Sequence, residues 1–185
     1  MKLGLIADTH IPGTTKTLWP QIIDAFSDVD KILHAGDLWT VDVIDELTQL
    51  APTHVATGNG DLELTDERLK ETWQLQFDDV AVGLVHEFPT ARRRPADYLM
   101  RRRDKLFQAP LPNVVIYGHT HYDEIHLVGE LMCVNPGSPT LPRNQDLRHG
   151  TLGFLEIEGC RATATISQIT DNGIETVQEE TIDFV

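Results

Sequence analysis

The chain has no apolar run approaching the roughly 20 residues that a membrane span requires, so no membrane role is expected. Strand-like residues begin at Lys2, with no basic segment leading into an apolar stretch. A secretory signal is therefore not evident, and a cytoplasmic location is expected. Cysteine is scarce: Cys133 and Cys160 stand alone, outside any metal-ligand spacing. That excludes a disulfide framework and a cysteine-based structural zinc site. Positive charge is also short, with 15 Lys and Arg against 29 Asp and Glu, a net charge of −14. Such a balance argues against a broad basic face for nucleic acid. Repeats, low-complexity stretches and linkers are absent, so residues 1–185 read as one domain with room for a sizeable core.

What the chain does have is one pattern used five times: a short apolar run, a small residue, then a polar residue able to bind metal. KLGLIA leads to Asp8 and His10, and KILHAG leads to Asp37. THVATG leads to Asn59, with Asp61 just after; VAVGLV leads to His86; NVVIYG leads to His119 and His121. The runs are rich in Val, Ile and Leu without clean alternation, as expected of strands buried on both faces. In open α/β sheets, sites form in the crevice beyond the carboxyl ends of the strands. Histidines at i and i+2 on extended chain also point the same way.

Between these runs, Leu18 to Phe26 and Val41 to Leu50 carry helical stripes, and Ala96 to Phe107 is expected to be a third helix with Pro95 near its first turn. From Trp73 onward the period falls to two. Hairpins are expected at Asp78-Asp79, Gly129-Glu130 and Glu158-Gly159-Cys160, a tight turn at Asn135 to Ser138, and a last strand around Ile174 to Phe184. The architecture expected is a β-rich α/β sandwich, parallel strands with helices first and antiparallel hairpins later.

Asp8, His10, Asp37, Asn59, His86, His119 and His121 form a mixed oxygen and nitrogen set. Such donors suit transition metals better than magnesium or calcium. They are too many for one tetrahedral ion, but two ions sharing one carboxylate would use them well, with Asp37 as the bridge. Two ions about 3.5–4 Å apart acidify a shared water and bind the oxygens of a phosphate ester. Asp61 is expected beyond the ligands, orienting a ligand histidine, with a plain turn residue as the alternative. His34 is expected as a support of the site or a satisfied core residue; His54, His126 and His149 as surface or structural. Seven of the basic residues crowd between Arg92 and Lys105. That run reads either as a solvated helix face or as a local anion site beside His86.

Asp8-Thr9-His10, Gly36-Asp37, Gly58-Asn59-Gly60-Asp61, His86 and Gly118-His119-Thr120-His121, in that order, resemble the motif set of the calcineurin-like metallophosphoesterases. Asn135-Pro136-Gly137-Ser138 followed by Arg143 resembles a further signature of the small single-domain bacterial and archaeal phosphodiesterases of that superfamily. The resemblance implies a four-layered αββα sandwich of two mixed β-sheets flanked by helices. It implies one divalent ion on Asp8, His10, Asp37 and His121 and another on Asp37, Asn59, His86 and His119, with a hydroxide bridging them that attacks phosphorus. Manganese is the first choice of metal, with nickel, iron and zinc as alternatives.

Two positions depart from the pattern. Relatives often carry a histidine, thought to protonate the leaving group, where this chain has Gly60, and many have glycine where it has Glu87. Loss of an acid slows expulsion of an alkoxide far more than of a phenolate. The function expected is a metal-dependent phosphodiesterase acting on a small phosphate ester, with Arg143, Arg148 and the run Arg92, Arg93, Arg94 as candidate phosphate contacts. The alternatives are a phosphomonoesterase or nucleotidase, and a catalytically weak binding scaffold like the metallophosphoesterase-like subunit of retromer. No dedicated nucleic-acid grip is evident, and a homo-oligomer is open.

Overall fold

The structure, a computed structural model, describes residues 1–143 and 149–184. Arg148, named above as a phosphate contact, lies outside them. Two mixed β-sheets face each other. The first contains β1 (Lys2–Ile6), β2 (Lys31–His34), β3 (Thr53–Ala56), β4 (Leu69–Lys70), β10 (Thr151–Glu158), β11 (Arg161–Thr170) and β12 (Gly173–Asp183). Their order is β12-β11-β10-β1-β2-β3-β4, parallel from β1 to β4 and antiparallel beyond. The second has β5 (Thr72–Phe77), β6 (Val80–Val85), β7 (Val114–Ile116), β8 (Asp123–Val128) and β9 (Leu131–Pro136), in the order β5-β6-β7-β9-β8.

The apolar residues sort by strand period into three buried groups. Leu3, Leu5 and Leu33 meet Val82, Leu84, Val114 and Ile116 between the sheets. Their sequence neighbours Ile6 and Ile32 point the other way, onto α1 (Pro20–Ala25) and α2 (Asp42–Thr48). Val85, Val115 and Tyr117 likewise face α3 (Ala96–Leu106) on the outside of the second sheet. Both faces of the central strands are thus covered, which is why their sequences lack alternation. Layer by layer the fold is helix, sheet, sheet, helix, as the resemblance implies. Among the described residues, no helix is long and apolar enough to cross a membrane.

Local chemistry explains where the elements differ from expectation. α1 begins at Pro20 rather than Leu18, because proline takes the first helical position and holds Trp19 extended, at ψ 147°. β4 is only two residues long and carries no periodic signal. Asn135 and Pro136 continue β9 instead of starting a turn. β9 has β7 beside it only as far as Val134, and beyond that it pairs with β8 alone, so a residue without an N–H is tolerated. β12 is an open edge, paired only with β11, and it exposes Glu175, Glu179, Glu180 and Asp183.

Candidate metal centre

The chain turns sharply where the parallel strands end. Asp8 (φ 53°), His10 (φ 47°), Asp37 (φ 58°), His119 (φ 67°) and His121 (φ 58°) all sit in the left-handed region that L-residues rarely adopt. Each such position costs about 1–3 kcal/mol and persists only where its surroundings impose it. Five of the seven candidate ligands carry this strain, which is how strand ends on two sheets aim their side chains into one crevice.

All seven candidates come together, in two groups. In the first, His10 Nε2 and His121 Nε2 are 3.2 Å apart, with Asp8 Oδ1 3.9 Å and 3.6 Å from them. In the second, Asn59 Oδ1 lies 3.2 Å from both His86 Nε2 and His119 Nδ1, which are 3.3 Å from each other. Asp37 stands between, its Oδ1 3.6 Å from His86 Nε2 and its Oδ2 3.8 Å from His10 Nε2.

Backbone carbonyls fix two of the tautomers. His86 donates from Nδ1 to the Ala35 carbonyl, and His121 donates from Nδ1 to the Leu141 carbonyl, each at 2.7 Å. Their Nε2 lone pairs are left facing the crevice, the arrangement expected of a metal-ligating histidine. Burial lowers the pKa of His10 and His121, which keeps lone pairs on the rings. Burial, and then the neighbouring Asp37, raise that of Asp8 well above the usual carboxylate range. The ligand atoms of Asp8, His10 and His121 all lie within 4.8 Å of one another, as do those of Asp8, Asp37 and His86. Lone pairs and carboxylates crowded this closely fit a divalent cation and little else.

Asp61 performs a different task from the one expected. It is fully buried, and its hydrogen bonds run to backbone N–H groups rather than to a histidine. Its Oδ2 accepts the N–H of Asp37 (2.7 Å) and of Gly58 (2.9 Å); its Oδ1 accepts those of Leu38 (3.0 Å) and Trp39 (2.9 Å). Positive φ at Gly36, Asp37 and Trp39 turns successive N–H groups inward, and the carboxylate fills that nest. Asp61 therefore orients the loop that carries Asp37. Asn135 and Ser138 support other ligand loops: Asn135 Nδ2 donates to the Gly118 carbonyl, and Ser138 Oγ to the Asp8 carbonyl.

His34 is fully buried beneath the centre. It accepts the Gly36 N–H at Nδ1 (3.0 Å), so its Nε2–H faces Thr9 Oγ1 (3.2 Å). Burial pushes its pKa from 6.5 to about 4. Between those values the unfolded chain binds the proton and the native state does not. Stability is therefore highest above pH 6.5 and falls as pH drops toward 4. Urea unfolding at pH 7 and pH 5 should show a smaller drop for His34→Gln than for the unsubstituted chain; equal drops would remove His34 from the acid response. The other histidines lie apart from the centre: His126 pairs with Glu124, while His54 and His149 pack on Trp73 and Trp19.

Two residues at the site carried no signal of their own in the sequence. Trp39 lies edge-on to His10, ring centroids 4.8 Å apart. A Cβ on Gly60 would fall 2.3 Å from Trp39 Nε1, so the indole occupies the room that a side chain at position 60 would need. Glu124 is buried and takes Arg92 Nε (3.0 Å), Thr90 Oγ1 (2.9 Å) and the Tyr117 hydroxyl. Arg92 is thus the counter-charge of a buried acid. Arg93 and Arg94 have no carboxylate partner among the described residues, and Glu87 is exposed beside them. Arg143 donates its backbone N–H to the His121 carbonyl and lies over Tyr122.

A probable metallophosphoesterase of Methanothermobacter thermautotrophicus is 36% identical over 172 residues, 90% of this chain and 91% of the relative. A phosphodiesterase of Methanocaldococcus jannaschii is 28% identical over 153 residues, 74% of this chain and 83% of its own. Among solved structures, Vps29 of Entamoeba histolytica in complex with zinc superposes with a TM-score of 0.74 at 25% identity, over 100% of both chains. The model of the calcineurin-like phosphoesterase superfamily domain matches residues 1–159, a span that holds every residue of the crevice, and the chain belongs to that superfamily.

Proposed function

We propose that this chain, acting as one domain in the cytoplasm, is a metal-dependent phosphodiesterase hydrolysing a small phosphate diester. One observation carries the reading: Asp37 presents one carboxylate oxygen to each of two donor groups. Asp8, His10, Asp37 and His121 would hold one divalent ion and Asp37, Asn59, His86 and His119 a second, manganese being the first candidate. Two such ions supply Lewis-acid chemistry, neutralising charge on the phosphoryl oxygens and lowering the pKa of water. The chain's own residues hold the ligand loops rigid: Asp61 under Asp37, Asn135 under Gly118 and Ser138 under Asp8. The phosphodiesterase named among the relatives supports a diester over a monoester.

The test is hydrolysis of bis-p-nitrophenyl phosphate by metal-stripped protein with manganese titrated back. Activity should appear with metal and saturate near two equivalents. With Gly60 and Trp39 where an acid would stand, aryl esters should turn over much faster than alkyl esters. Saturation at one equivalent would remove the two-ion assignment. Metal uptake without turnover would favour a non-catalytic scaffold, the second reading, which the likeness to Vps29 keeps in view.

A further inference from the structure

Beside His119 and Thr120 the surface opens into a cavity of about 430 Å³, walled by Arg93, Arg94 and Arg102 with Tyr98 and Glu87. Its size falls within the range of small-ligand sites. Arg102 also borders a neighbouring cavity that reaches Asn59 and His86, so it stands between the arginine wall and the second donor group.

The three arginines at the cavity share one lack. Within the described residues, five of the chain's ten arginines pair with a carboxylate: Arg68 with Asp45 and Asp66, Arg92 with Glu124, Arg101 with Asp97, Arg103 with Asp104 and Arg161 with Asp183. Among the described residues, Arg93, Arg94 and Arg102 have none. Arg94 lies over the Tyr98 ring, 5.0 Å from its centroid, and Tyr98 stands one helical turn before Arg102 on α3.

Their loop is pinned. Thr90 Oγ1 and Arg92 Nε both bond to buried Glu124, and the Arg93 N–H donates to the Thr90 carbonyl at 3.2 Å. Three consecutive arginines therefore divide their tasks. Arg92 neutralises the buried acid, and the next two are held at the cavity with their charge unspent. Guanidinium groups stay protonated and match phosphate oxygens in a planar fork. Three positive charges against the single Glu87 leave the cavity wall net positive.

We propose that this cavity is a subsite for a second phosphate of the substrate, so that the preferred substrate is a phosphate diester bearing a further phosphate group. This rests on the phosphodiesterase reading for the scissile bond, and on the unpaired arginines for the second anion.

Calorimetric titration of manganese-loaded protein with adenosine 3′,5′-bisphosphate and with adenosine 5′-monophosphate tests it without requiring turnover. The bisphosphate should bind about tenfold or more tightly, the scale of one added charge-assisted contact. Arg94→Gln and Arg102→Gln should each bring the ratio of the two affinities toward one. Equal affinities in the unsubstituted protein would overturn the subsite, as would a ratio untouched by either substitution. Turnover of bis-p-nitrophenyl phosphate, measured on the same sample, reports separately on the hydrolase: lost turnover with a retained ratio sinks the enzyme reading and supports the subsite.

Discussion

Asp37→Asn is expected to lower metal-dependent hydrolysis by about 100-fold or more while making the metal-free fold more stable. The two effects share one cause. Asp8 and Asp37 are both buried, and each has an oxygen within 4.8 Å of the other. Burial and the proximity of Asp37 already push Asp8 toward its protonated form. Asparagine removes one of the two charges yet keeps an oxygen for the Gly60 N–H, which donates to Asp37 Oδ1 at 2.7 Å. In the metal-free state the relief should raise the unfolding midpoint, by about 2–4 °C for each kcal/mol in a chain of this size. Manganese should raise the midpoint of the unsubstituted protein far more than that of the variant. Thermal unfolding with and without chelator measures both. A metal-free variant less stable than its parent would show that Asp37 is not held under repulsion, and equal gains from manganese would show that Asp37 does not help hold the metal.

Asp61→Ala should be the most damaging single change to the fold. It strands four N–H groups, those of Asp37, Leu38, Trp39 and Gly58. Each buried donor left without an acceptor costs about 1–3 kcal/mol. The sum is comparable to the whole stability of a typical domain, about 5–15 kcal/mol. Asp61→Asn grades the effect, because its carbonyl serves one pair of donors while its amide opposes the other pair. The midpoint of urea unfolding should fall in the order aspartate, asparagine, alanine, and manganese affinity should fall with it. An alanine variant as stable as the parent would mean that water or a shifted loop satisfies those donors.

The ligands could be read from sequence because each follows its strand by one or a few residues, and strand periodicity needs no knowledge of distant chain. What the sequence hid depends on distant partners. Asp61 announces a carboxylate, but nothing local says that three of the four N–H groups it binds lie more than twenty residues back. Arg92 looks like its neighbours until Glu124 takes it. Trp39 follows the motif aspartate without signal, and only the fold places its indole over Gly60. Pro136 reads as a turn residue because its tolerance in β9 depends on where β7 stops. Helix ends moved for a nearer reason, the backbone restriction that Pro20 places on Trp19.

The acidic rim of β12 sets what the molecule can do in a crowd. An edge strand of eleven residues, open on one side, is ordinarily a template on which a second chain can zip. Here a like copy arriving edge to edge would set Glu175, Glu179, Glu180 and Asp183 against their own images. Like charge along the longest open border of the first sheet thus opposes self-pairing. Higher salt, which screens that repulsion, is the condition under which edge-to-edge pairing of copies should first become detectable.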